Sequence, residues 1–181
     1  MQFSNLAILF SLSVATLAAP IETAKRATTK VTSASVLTSG DYSTFQVSDG
    51  VAGDALAEVN AKFPIDTSNF AGVSAADLAI ITKAAQVSED AEVGTGGFND
   101  AIDAAGGTSS TAGAALQVGK IKNKVLKLQT DVLRIQIQTA QGNAGSATEL
   151  ATQQKKLATN VALDVAQAGK TSKSISFSGT D

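Results

Sequence analysis

The chain has 181 residues, a formal net charge of −2 and 44% hydrophobic residues, and it contains no cysteine, histidine or tryptophan. Lack of histidine excludes imidazole-based acid–base catalysis and most zinc sites, and lack of cysteine excludes a disulfide framework. The charge balance is not basic enough for nucleic-acid binding.

The chain opens MQFSNLAILFSLSVATLAAP. Its apolar run from Leu6 to Leu17, closed by the small residues Ala18 and Ala19 before Pro20, predicts a secretory signal peptide over residues 1–19. The run is too short to span a bilayer stably. Lys25 and Arg26 then form a dibasic pair suited to a kexin-type processing protease, which makes residues 20–26 a short propeptide. The expected product is an extracellular chain of about 155 residues, long enough to bury the core of one domain. No second apolar run is long enough to cross a membrane.

Residues 27–40, ATTKVTSASVLTSG, are rich in Ser and Thr and predict a loosely ordered lead-in whose hydroxyls are candidates for O-glycosylation; no Asn-x-Ser/Thr sequon occurs. A helical domain is expected over residues 41–169. Asp41 is placed to cap a first helix, with Phe45, Ala52, Leu56, Val59 and Phe63 at helical spacings and Pro64 as its stop. Gly50 and Gly53 each cost about 1 kcal/mol relative to alanine inside a helix, so its first half is expected to be irregular or kinked.

Ser74 and Asp77 stand in capping-box spacing before a second helix, whose apolar stripe takes in Leu78, Ile80, Ile81, Ala84, Ala85 and Val87. GTGG from Gly94 breaks the chain, and a short helix follows from Phe98 to Ala105. In the segment GKIKNKVLKLQTDVLRIQIQTAQG and just before it, Val118, Ile121, Val125, Leu128, Val132 and Ile135 recur at alternating spacings of three and four. Leu126, Leu133 and Ile137 widen that seam, which predicts a long helix packed on more than one neighbour. Gly142 ends it. A partner helix is expected over Ala147 to Ala168, carrying Leu150, Leu157, Val161 and Val165 and stopped by Gly169. The short Gly-containing turn between the two predicts an antiparallel hairpin. Residues 170–181 read as a frayed, flexible tail. The predicted fold class is all-α, a bundle of four or five helices with a long antiparallel C-terminal hairpin.

Few motifs suggest chemistry. GTGG lacks the Gly-Lys-Ser/Thr of a phosphate loop and reads as a helix break. Asp100 and Asp103 lie one turn apart without EF-hand spacing and read as solvated carboxylates. The serines have neither a G-x-S-x-G elbow nor a histidine to activate them. The expectation is a non-enzymatic protein without cofactor or metal.

The basic cluster stands apart. Acidic residues dominate from Asp41 to Asp103, where Lys62 and Lys83 are the only cations, and the balance turns basic from Gly106. On a helix, Lys120, Lys124 and Lys127 align beside the apolar seam, Arg134 continues their line, and Lys122 sits on the other flank. One reading has these cations flank a buried stripe and pair with the acidic helices of the first half. The other makes Lys120, Lys122, Asn123, Lys124 and Lys127 a recognition epitope for an acidic or polar partner. Both can hold at once.

The phrases FQVSDGVAGDALAEVNAKFP, FNDAIDAAGG, LQVGKIKNKVLKLQTDVLRIQIQTAQG and KKLATNVALDVAQAG, spread from about Asp41 to Gly169, resemble fungal small secreted proteins often labelled IgE-binding or allergen-like. That resemblance implies a cysteine-free, non-enzymatic protein of filamentous ascomycetes, perceived by a host extracellular protein, an immune receptor or an antibody. It would act as an apoplastic effector or elicitor, with Lys120 to Lys124 the first candidate for the recognised segment. A looser resemblance, to fungal hydrophobic-surface-binding proteins and cell-wall mannoproteins, implies binding to lipid or apolar surfaces and association with the cell wall. The sequence departs from that pattern in having no extended aromatic or Met-rich face.

Overall fold

The computed structural model describes residues 34–143 and 147–181. The predicted signal peptide, propeptide and first part of the lead-in lie outside the described residues. The helices are α1 (Tyr42–Phe45), α2 (Ala55–Lys62), α3 (Ala75–Val93), α4 (Phe98–Ala104), α5 (Thr111–Ala140) and α6 (Ala147–Ala166). Two short strands, β1 (Gly50–Val51) and β2 (Thr171–Ser172), pair antiparallel. The class is all-α, and α5 is its axis: α2, α3, α4 and α6 all pack on it.

Every residue of the seam on α5, from Val118 to Ile135, is buried, as are Leu126, Leu133 and Ile137. The width of that apolar face explains why α5 serves several neighbours at once. Arg134 meets Glu149, and Leu128 lies beside Lys156 and Asn160, so α6 runs antiparallel to α5 as its short connection demands. The core around it joins Phe45, Val59, Phe63 and Ile81 to Val125, Leu126, Leu133 and Ile137.

The expected first helix is instead two, separated by β1. Gly50 and Gly53 adopt φ of 93° and 126°, the left-handed half of backbone space that a helix cannot use. Asp41 makes no side-chain cap; its carboxylate accepts from the Thr180 hydroxyl at 3.0 Å. The neighbouring Asp54 caps nothing either, and the α2 N-terminus is served from α6. Asp164, 1% exposed, accepts from the Gly53 and Ala55 amides at 3.1 and 2.9 Å. This places a carboxylate at the positive end of α2, where first-turn amides have no intrahelical partner. It also fixes the roll of α6: Leu157 and Val161 pack toward the core, while Val165, expected to be inside, is 55% exposed.

The C-terminal segment is not frayed. Ser172 is buried and donates to the Ser48 carbonyl at 2.5 Å, and the Lys173 amide donates to the Ala115 carbonyl of α5 at 3.0 Å. Ile175 and Phe177 pack on the core, Phe177 edge-on to Tyr42 with centroids 5.9 Å apart. The segment comes this close because α5 carries Gly119 at the crossing. A β-carbon there would overlap the Lys173 carbonyl oxygen and sit 3.1 Å from the Ser48 carbonyl oxygen. Composition alone suggested a loose tail; the missing side chain on the opposite helix is what docks it.

The described part of the lead-in is docked too, as a strap over residues 34–40. Ser74 caps α3 by accepting from the Asp77 amide at 3.0 Å. The Asp77 carboxylate accepts from the Ser74 hydroxyl, from Ser35 at 2.7 Å and from the Val36 and Leu37 amides at 3.1 and 2.9 Å. Burial by itself would raise this carboxyl, yet the donors from Ser35, Leu37, Ser74 and Val36 outweigh it and hold it below its usual range. A carboxyl lowered by folding contributes stability above its unfolded value of about 4, and that contribution is lost as pH falls through the folded value. The Val36 and Leu37 amides are therefore expected to lose exchange protection on acidification, and in Asp77→Asn already at neutral pH. Protection that persists in Asp77→Asn would mean that the strap is held by other contacts.

Candidate partner-binding trough on α5

The long helix distributes the five predicted recognition residues between two environments. Lys122 and Asn123 are fully buried. The Lys122 ammonium donates to the carbonyls of Asp49 and Val51 at 3.1 and 3.0 Å and lies 2.9 Å from the Glu58 carboxylate. It stitches β1 and α2 to α5. The Asn123 amide accepts from the Tyr42 hydroxyl at 2.9 Å and donates to the Ser88 carbonyl at 2.7 Å. Burial pushes the Tyr42 phenol up to about 12, which keeps it a neutral donor. Neither Lys122 nor Asn123 offers a surface to a partner, which corrects their expected place in an epitope.

Lys120, Lys124 and Lys127 remain on an accessible edge, facing α3. Lys120 donates to the Asn99 side chain at 2.5 Å, with Glu92 at 3.9 Å. Lys124 pairs with Glu92 at 3.0 Å, and Lys127 pairs with Glu89. The basic half of the chain thus meets the acidic half, as the charge asymmetry implied. Arg134 closes the row between Asp131 and Glu149, at 3.3 and 2.8 Å.

Glu89, Glu92, Lys124, Lys127, Asp131 and Arg134 line a trough between α3 and α5, bordered at one end by α6. One depression of about 310 Å³ is bounded by Glu89, Glu92, Lys124, Lys127, Lys156 and Asn160. A second, of about 300 Å³, continues past Gln86, Asp131 and Arg134. Glu89 and Lys127 line both, so their ion pair forms the saddle between them. In the first depression three ammonium groups face two carboxylates, an excess of positive charge in a concave, partly desolvated setting where Coulomb terms are less screened than on open surface.

Sequence spacing found the α5 side of the trough but not Glu89, Glu92, Lys156 or Asn160. Their arrival depends on how α3 and α6 cross α5, which no local pattern states. Other expected features stay apart. Asp100 caps the GTGG break by accepting from the Gly96 amide at 2.8 Å, and Asp103 is exposed. No group of three or more metal-ligating side chains occurs among the described residues, and no described helix is long and apolar enough to cross a membrane.

No curated protein and no solved structure matches the chain. Residues 37–176, which include every described helix and strand and the trough, match the family model described as Domain of unknown function (DUF8454), and the chain belongs to that family.

Proposed function

We propose that the protein is a secreted, non-enzymatic binding protein, an apoplastic effector or elicitor or an allergen-like protein, that engages a host extracellular protein through the trough on α5. The observation that carries this reading is the surplus of ammonium groups, Lys124, Lys127 and Lys156, over the carboxylates of Glu89 and Glu92 in one concave site. Such a surplus favours an acidic segment on the partner and speeds its approach. The apolar N-terminal run from Leu6 to Leu17 supports export.

The test replaces Lys124, Lys127 and Lys156 together by alanine. Lys124 and Lys127 are partly exposed and Lys156 is exposed, so the fold is expected to survive with near-native circular dichroism. Capture of the partner from host apoplastic fluid is expected to fall severalfold, and wild-type capture to weaken as salt rises from 50 to 300 mM, conditions that shorten the Debye length from about 14 to 6 Å. Undiminished capture by the folded triple variant would overturn the proposal.

A further inference from the structure

Another concavity lies away from the trough. The strap, α2 and the C-terminal segment enclose a cleft of about 430 Å³, within the size range of small-molecule sites. Its floor is apolar. Phe45 and Phe63 are both nearly inaccessible and stand edge to face with centroids 6.2 Å apart, and Ile80 of α3 adjoins them. The strap supplies one wall through Val36 and Leu37; Val36 is 60% exposed despite its apolar side chain.

The polar rim is unequal in what it can offer. Among the described residues Lys62 is the one cation lining the cleft. Its ammonium makes one hydrogen bond among the described residues, to the Thr44 carbonyl at 2.7 Å, which leaves two of its three donors for another acceptor. Asp181 carries the one acidic side chain among the described residues of the lining. Its side chain accepts from the Gly40 amide at 2.7 Å, and its carbonyl accepts from the Ser39 hydroxyl at 2.6 Å. Burial pushes this carboxyl up, and the Gly40 and Ser39 donors oppose that shift. A cationic ligand would meet the free donors of Lys62 and a carboxylate already committed to the strap.

We propose that this cleft binds a small monocarboxylate with an apolar body, aliphatic or aromatic, seated on Phe45, Phe63 and Ile80 with its carboxylate on the Lys62 ammonium. The strap forms one wall, held by Asp77 at one end and by Asp181 at the other. This site shares no lining residue with the trough.

Titrating the ¹⁵N-labelled full chain with octanoate, trans-cinnamate and octylammonium tests the assignment. Saturable shifts centred on Leu37, Phe45, Phe63 and Ile80 are expected with at least one of the two acids. Octylammonium is expected to bind more weakly than octanoate. Lys62 is exposed, and Lys62→Glu should weaken binding of the responding acid about fivefold, the scale of one solvent-exposed ion pair. Ala61 is exposed and lines the cleft, so Ala61→Phe should fill it and abolish the shifts while leaving the fold intact. Failure of both acids to saturate those amides, equal binding of octylammonium by the wild type, or unaltered binding by either folded variant would overturn the proposal.

Discussion

Gly119→Ala is expected to destabilise the protein by about 2–4 kcal/mol, although it adds one methyl group to a helix. On an open helix the same change would help by about 1 kcal/mol, because alanine loses less backbone freedom. Here the new carbon collides with the Lys173 carbonyl oxygen, and the Ser48 carbonyl oxygen blocks escape on the other side. Backbone atoms cannot swing aside as a side-chain tip can, so the C-terminal segment must leave. With it go the β1–β2 pairing, the Ser172 and Lys173 hydrogen bonds and the packing of Ile175 and Phe177. Thermal unfolding should show a clear fall in Tm, and hydrogen exchange should show faster amides from Thr171 to Phe177 with α3 and α5 still protected. A raised Tm would mean that propensity alone governs the site.

Lys122→Met is the second large effect, expected at about 3 kcal/mol, toward the low end for breaking a buried ion pair. Methionine retains the stem but withdraws the ammonium from Glu58 and from the carbonyls of Asp49 and Val51. Glu58 is 39% exposed and recovers water, which moderates the loss, whereas the two carbonyls lose part-buried hydrogen bonds from a fully buried ammonium. Adding Glu58→Gln should cost much less in the Lys122→Met background than in the wild type, because the carboxylate has lost its partner. Chemical denaturation of the four forms measures that coupling, and strictly additive effects would show that the pair is not energetically linked. Lys124→Met, at the accessible edge, should change stability by less than about 1 kcal/mol. Two lysines two residues apart on α5 thus separate into a structural tie and a surface group.

That contrast also marks how far the sequence could be read. The apolar seam of α5 predicted its own burial because nine aliphatic residues at helical spacing leave few other arrangements. The Ser74 cap and the Gly142 stop were equally local. Lys122 was read as surface, for a lysine is rarely buried and its partner Glu58 is 64 residues away. No local pattern singles out Asp164, whose carboxylate caps a helix that begins 109 residues earlier. The trough was half legible, since the α5 lysines share one face but the residues opposite them are chosen by helix crossings. The cleft beside Lys62 left no periodic trace at all, being assembled from a strap, a short helix and the last residues of the sequence.

The strap and C-terminal segment meet directly: Gly40 and Asp181 exchange backbone and side-chain hydrogen bonds across 141 positions, and Thr180 binds Asp41. Contacts of such separation carry a large loop-closure entropy and reward the chain only after the helices are in place. The helical hairpins, rich in local contacts, are therefore positioned to form first, and this clasp to close last. Weakening it should accelerate unfolding more than it slows refolding. During synthesis the helices emerge before the residues that complete the clasp, so Tyr42 and Val87 wait uncovered by Phe177 and Gly179 until the end of the sequence is made.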